Sequence, residues 1–179
     1  PNTGLQFGSD TVVIEGNNTV IAKFTSTFIE LNKETKLILE ESSLTDGDGN
    51  GDVVKFGSVS GGGSLDTGKI YYLNSSGQWA KADADSTTDS TGLLGVALGT
   101  SVSSDGLLIK GMVTLDHDPG SVGDQIFLKE SGGSSSDEGK ATSTAPSSAN
   151  NVVRHIGYCL HSTAGKIYFD PSPDYIVHS

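Results

Sequence analysis

The sequence predicts an all-β protein, and three observations carry that expectation. No stretch repeats apolar residues at helical spacing for more than two turns. Short apolar runs rich in β-branched and aromatic residues dominate instead. Turn-forming residues bound those runs throughout, with 24 glycines, 25 serines and 16 threonines among 179 residues.

The N-terminal strands are expected at Thr11–Ile14, Val20–Phe24, Phe28–Leu31 and Lys36–Glu40. Glu15-Gly16-Asn17-Asn18 separates the first two, and Gly and Asn tolerate the positive φ of a tight hairpin. Thin ribbons of this kind are marginal alone in water, so a lone copy would expose Phe24, Phe28, Ile29 and Leu31. Oligomerisation follows as the expectation. Residues 1–45 are taken as one extended segment. Residues 46–65 are taken as a connector, acidic in ESSLTDGDGNGD and linker-like in GSVSGGGS, with one strand at Val53–Phe56.

Residues 66–179 are expected to form a separate domain. Its strands are Lys69–Leu73, Trp79–Lys81, Leu93–Leu98, Leu107–Leu115, Gln125–Lys129, Val152–Leu160 and Lys166–Phe169. Leu94–Leu98 resembles Ile156–Leu160, and Ile70–Leu73 resembles Ile126–Leu128, which suggests an internal duplication and a small β-barrel or β-sandwich. Two polar loops, Asp83–Thr91 and Ser131–Asn151, lie between the strands. The second is long enough to be either functional or flexible.

Composition excludes several classes. The 22 acidic and 11 basic side chains give a formal charge of −11, which disfavours nucleic acid as a partner. No window approaches the ~18 apolar residues of a membrane span. Cys159 is the only cysteine and can close no intrachain disulfide. The chain opens on Pro1 without a leader pattern, as expected of a piece of a longer protein.

Candidate chemistry is sparse. Asp46-Gly47-Asp48-Gly49-Asn50-Gly51-Asp52 supplies oxygen ligands at alternate positions, as in the first half of a calcium loop, but Gly57 stands where the bidentate glutamate belongs. Asp46, Asp48, Asn50 and Asp52 are the candidate calcium ligands. Strand alternation would put His155, Cys159 and His161 on one face, although no orienting carboxylate is near them in sequence. Asp116-His117-Asp118-Pro119 could be half of a hydrolytic triad, but Asp before Pro and Gly is ordinary turn chemistry. Trp79 and Tyr72, with Tyr71 and Tyr158, offer the aromatic surface that stacks on sugar rings. The four histidines are scattered and no motif pairs a nucleophile with a base, so no enzyme is expected and no catalytic residue is assigned.

The pieces LQFGSDTVVIEG, TGKIYYLNSSGQWAKADADS, TGLLGVALG, LLIKGMVTLD and GKIYFDPSPDYIVH together resemble the carboxy-terminal parts of tail-fibre-like structural proteins of marine bacteriophages, those of cyanobacteria especially. The likeness covers most of the chain and rests on structural signatures. It implies a homotrimer with intertwined, shaft-like N-terminal β-strands leading to a globular head, located on the virion, contacting other virion proteins and a host receptor or glycan. The paired repeat is also similar to small capsid-decorating β-proteins, and a receptor- or glycan-binding head is a further reading.

Overall fold

A computed structural model describes residues 4–8, 11–16, 19–25, 29–31, 39 and 43–179. The chain divides into two compact units, Pro1–Ile38 and Leu39–Ser179. The division falls before the expected boundary, because the supposed connector pairs with the larger unit.

The first unit is an antiparallel meander of β1 (Gly4–Phe7), β2 (Thr11–Gly16), β3 (Thr19–Thr25) and β4 (Ile29–Leu31), in sequence order. Its register sorts the residues by polarity. Leu5 stands opposite Ile14 and Phe7 opposite Val12, while Val12 and Ile14 stand opposite Phe24 and Ala22. Ile29 and Leu31 continue those two rows. The alternate rows carry Gln6, Val13, Lys23 and Glu30. Directly opposed residues share a face, so one face of this sheet is assigned almost wholly apolar residues. Leu5 is 59% exposed and Phe7 77%. Phe28 lies outside the described residues, as does the expected strand at Lys36–Glu40 apart from Leu39, which is not in a strand.

The second unit is also β. Its strands are β5 (Gly49–Val54), β6 (Ser58–Val59), β7 (Ile70–Leu73), β8 (Gln78–Lys81), β9 (Leu94–Ala97), β10 (Leu107–Thr114), β11 (Gln125–Leu128), β12 (Ala141–Thr142), β13 (Val152–Val153), β14 (His155–Cys159), β15 (Lys166–Phe169) and β16 (Ile176–Val177). Helix among the described residues is limited to α1 (Thr87–Ser90) and a 3₁₀ turn at Ser60–Gly62, and no helix is long and apolar enough to cross a membrane. Ten strands form one sheet in the order β12-β11-β14-β15-β10-β9-β7-β8-β6, with β5 on the other edge of β10. The ends do not meet, so the sheet is open, which corrects the barrel alternative.

Strand β10 is where the sheet forks. Its first residues pair with β9 and its last four with β15. Each branch has the same internal order, β8-β7-β9-β10 and β12-β11-β14-β15. Their backbone bonds match as well. Gly68 N–H donates to Ala97 O and Ala97 N–H to Lys69 O, both at 2.9 Å. In the second branch Gly123 N–H donates to Cys159 O at 2.9 Å and Cys159 N–H to Asp124 O at 3.0 Å. Leu98 to Gly106 and Leu160 to Lys166 complete the correspondence. Tyr71 thus matches Ile126 and Leu73 matches Leu128. The sequence comparison of Ile70–Leu73 with Ile126–Leu128 ran over unequal lengths and did not fix that register.

The match extends upstream of both branches. Leu107 pairs with Val54, and its counterpart Ile167 pairs with Val113, so β10 closes the first repeat and opens the second. The segment after each opening strand then caps the outer edge of its own branch. β6 runs parallel to β8, and His117 with Pro119 accepts from β12 through Ala141 N–H at 2.9 Å and Ser143 N–H at 2.8 Å.

The main core joins the two branches. Ile70, Leu94, Val96 and Leu108 of the first lie in one buried cluster with Ile126, Leu128, Cys159 and Ile167 of the second. A smaller cluster of Leu65, Tyr71, Trp79, Ala97, Val102 and Leu107 fills the other side of the first branch. The second branch gives its inward side to the shared core, and its other side carries Tyr158, 45% exposed.

Candidate functional site

A cleft of about 510 Å³ lies between the turn at residues 59–64 and strands β7 and β8. Period-two alternation builds its floor, since Tyr72 and Ala80 are opposed across the two strands while Leu73 and Trp79 occupy the next position. Asp66, Lys81, Asp83, Asp89 and Glu138 supply its charge. Lys81 Nζ lies 2.7 Å from Asp66 Oδ2, and that hydrogen bond pushes the lysine pKa up. Tyr72 hydrogen-bonds Asp89, and this bond, aided by burial and by the carboxylate charge, raises the phenol to about 12. Asp83 accepts from Ser131 Oγ at 2.6 Å and Ser131 N–H at 3.1 Å. These bonds tie the two polar loops together. The longer loop is further anchored where Gly139 O accepts from Ile70 N–H at 2.8 Å.

The two expected sugar-stacking residues both reach this cleft, on different terms. Trp79 is fully buried, its Nε1–H donates to Phe56 O at 2.9 Å, and the Phe56 ring is tilted against it at 5.8 Å. It forms the wall from behind and presents no open ring face. Tyr72 is half-buried and lines the cleft itself. Tyr71 is buried, with its hydroxyl accepting from Asp66 N–H at 2.8 Å.

The Asp-Gly run is a turn that leads into a strand. Asp46 and Gly47 make a turn and the chain is extended from Gly49, with Asn50 and Asp52 paired to Met112 and Lys110. Asp48 instead faces the buried Lys166, whose Nζ is 3.9 Å from Oδ2 and also donates to Ser43 O. Among the described residues no three His, Cys, Asp or Glu side chains converge as a metal site. The extension is held by the partner strand. Gly51 and Gly111 face each other across β5 and β10 so closely that a Cβ on either would lie 2.1–2.2 Å from a carbonyl oxygen of the other strand.

A bulge rearranges the histidine strand. Ile126 pairs with Gly157 and Phe127 with His155, so Ile156 is passed over. One extra residue shifts the alternation. Ile156 and Cys159 turn into the core while His155 and Tyr158 turn outward, correcting the expectation that His155 and Cys159 share a face. Burial raises the Cys159 thiol pKa, and its Sγ rests 3.3 Å from Gly120 O. His161 stands apart, with Nδ1 accepting from Thr163.

His117 is more than a turn residue. Its Nε2 lies 2.9 Å from Ala141 N and 3.1 Å from Ala141 O, and its Nδ1 lies 2.6 Å from Asp116 Oδ1. Lys69 Nζ lies 3.2 Å from Asp116. Burial pushes the Asp116 carboxyl up, but His117 and Lys69 together outweigh it and hold it below the ordinary carboxylate range. Both imidazole nitrogens are thus engaged in closing the edge of β12, and neither is placed to take a proton from a substrate. Sequence reasoning missed this role because the two residues it joins are 24 positions apart. No family model matches the chain, and no curated protein or solved structure matches it either.

Proposed function

We propose that this chain is a structural component of a bacteriophage virion, a tail-fibre or appendage protein that assembles as a homotrimer through its N-terminal strands and serves in host attachment or display. One observation supports it most. The first unit sorts its residues onto an apolar and a polar face, and Leu5 and Phe7 of the apolar face remain exposed in a single copy. A four-stranded sheet that leaves Leu5 and Phe7 of its apolar face at the surface gains from a second layer. Copies of the same segment supply one with matching chemistry. In this reading the N-terminal unit is the shaft and the repeat unit the head, in contact with other virion proteins and with a host receptor.

The reading as a non-enzyme is supported by where the candidate groups stand, with Cys159 in the core and both nitrogens of His117 bonded to protein. The acidic cleft with Tyr72 at its wall favours a second reading, a receptor- or glycan-recognising head, which the first accommodates. Native mass spectrometry and light scattering of the whole chain test the assembly. Three chains of 18.5 kDa each are expected, and Phe7→Asp should dissociate them. A monomer at micromolar concentration overturns the reading.

A further inference from the structure

Where β10 leaves β9 to pair with β15, the fork holds a recess of about 250 Å³. Arg154 crosses it. Its Nη1 donates to Ser90 O at 2.6 Å and to Gly92 O at 2.7 Å, shortly before β9, and its Nε–H donates to Ser172 O at 2.8 Å, shortly after β15. One guanidinium therefore ties the two branches together where they part.

These bonds use three of the five guanidinium N–H groups. The remaining two, on Nη2, have no acceptor among the described residues, and Nη2 is not sealed from solvent in the recess that Arg154 lines. Arg154 is only 5% exposed, so its charge has lost most of its hydration, and carbonyl dipoles replace that in part. Burial accordingly pulls its pKa down. Among the described residues no carboxylate is paired with it. Asp52 and Asp170 stand on the recess wall, but Asp170 is held by Lys110, 3.2 Å away. The rest of the wall is aliphatic, formed by Leu93, Leu94, Ile109 and Pro171.

We infer that this recess binds a small monocarboxylate with a short aliphatic body. The carboxylate accepts from Arg154 Nη2, where a charge-assisted bond is about twice as strong as a neutral one. The aliphatic body lies against Leu93, Leu94, Ile109 and Pro171. The volume falls below the ~300–1,000 Å³ typical of drug-sized ligands, which limits that body to a few carbons. Asp52, Asp170 and the chain's charge of −11 repel a second negative charge, so dicarboxylates and phosphates are disfavoured. The site is separate from the cleft beside Tyr72 and needs no trimer, so each reading can fail alone.

The test titrates the ¹⁵N-labelled whole chain, at fixed ionic strength, with sodium pentanoate and in parallel with pentanamide, its neutral isostere. Pentanoate should shift the amides of Leu94, Ile109, Lys110 and Arg154 in a saturable way, and pentanamide should bind at least about tenfold more weakly. Arg154→Gln should abolish the pentanoate response. Because that variant also loses the tie across the fork, Leu93→Asp provides a second reading at a position 42% exposed. It adds a competing carboxylate to the wall while keeping Arg154, and should weaken pentanoate about tenfold. Equal binding of pentanamide, binding unchanged in Leu93→Asp, or no response at tens of millimolar would each overturn the inference. So would shifts of the same amides with protein concentration alone, since that result assigns the Arg154 donors to a carboxylate of a second copy.

Discussion

The two repeats solve one problem by opposite means. In each, the edge strand of the branch must be covered by the segment that follows the repeat's opening strand. In the first, a large side chain on the sheet reaches out, as the Trp79 indole donates to Phe56 O and β6 docks alongside. In the second, the position matching Trp79 is Ala141, since Trp79 and Ala141 are opposed to the matched residues Leu73 and Leu128. The missing ring leaves room for one from the other side, and His117 reaches in to accept from Ala141 N–H. Topology fixes that an edge needs a cap, whereas the side chains that make the cap can come from either partner. The first solution is hydrophobic and insensitive to pH. The second is polar and includes a carboxylate whose charge matters.

The largest expected effect is that of Trp79→Ala, which removes a fully buried indole and the donor to Phe56. The cost should be about 3–5 kcal/mol in denaturant unfolding, and amide exchange at Phe56–Val59 should rise far more than at His117–Pro119. Equal acceleration at both caps would show that the two edges unfold as one.

Next comes a pair at matched glycines. Gly157 has φ of 152° and a Cβ there would lie 2.0 Å from Tyr168 O, so Gly157→Ala should cost about 3 kcal/mol or more from strain and clash. At its counterpart Gly95 the tightest contact would be Leu107 Cβ at 3.0 Å, with Leu107 Cδ2 and Leu108 O at 3.5 Å. Gly95→Ala should then cost on the order of 1 kcal/mol, and equal losses would mean that the bulge beside Gly157 relaxes to accept the methyl group.

A smaller effect should separate the caps by pH. The Asp116 carboxyl has a depressed pKa in the folded state, so its contribution is fully present above the ordinary carboxylate range, near pH ~4, and is lost as pH falls through the folded value. Asp116→Asn should flatten the acid limb of the stability curve below pH ~4 and change little at neutral pH beyond a constant offset. His117→Ala leaves Ala141 N–H without its acceptor and should cost about 1–3 kcal/mol. Unchanged acid sensitivity in Asp116→Asn would assign the limb to another carboxylate.

The smallest effect concerns the cleft. Lys81 and Asp66 are both partly exposed, so Lys81→Ala should cost under about 1 kcal/mol, and added salt should shrink the difference. A larger, salt-independent loss would mean that the lysine stem packs the cleft wall.

Much of this architecture is legible in the chain. Short apolar runs bounded by Gly, Asn and Ser locate β7 to β11, β14 and β15, because period two is a local property of extended backbone, whereas the two-residue strands β6, β12 and β16 carry no such pattern. The repeat is visible too, since Gly95 and Gly157 sit in the same short apolar frame. The strand inside the Asp-Gly run was hidden, because Gly49 to Asp52 carries no β-formers and is extended only through its partner β10. The candidate sites were less legible for the same reason. Trp79 looks exposed in a polar stretch until Phe56 is brought over it, and His155 changes face through one bulged residue.

By itself the sequence determined the all-β class, the strands with strong local patterning and the presence of two related segments. Those follow from side-chain alternation and turn chemistry, which act over a few residues. Only the tertiary structure decided that β10 belongs to both repeats, that the sheet stays open, and that Trp79 is interior while Tyr158 is outward. Each of those outcomes depends on pairing between residues tens of positions apart. Their energy comes from burial and backbone hydrogen bonds that exist only once the distant strands have met.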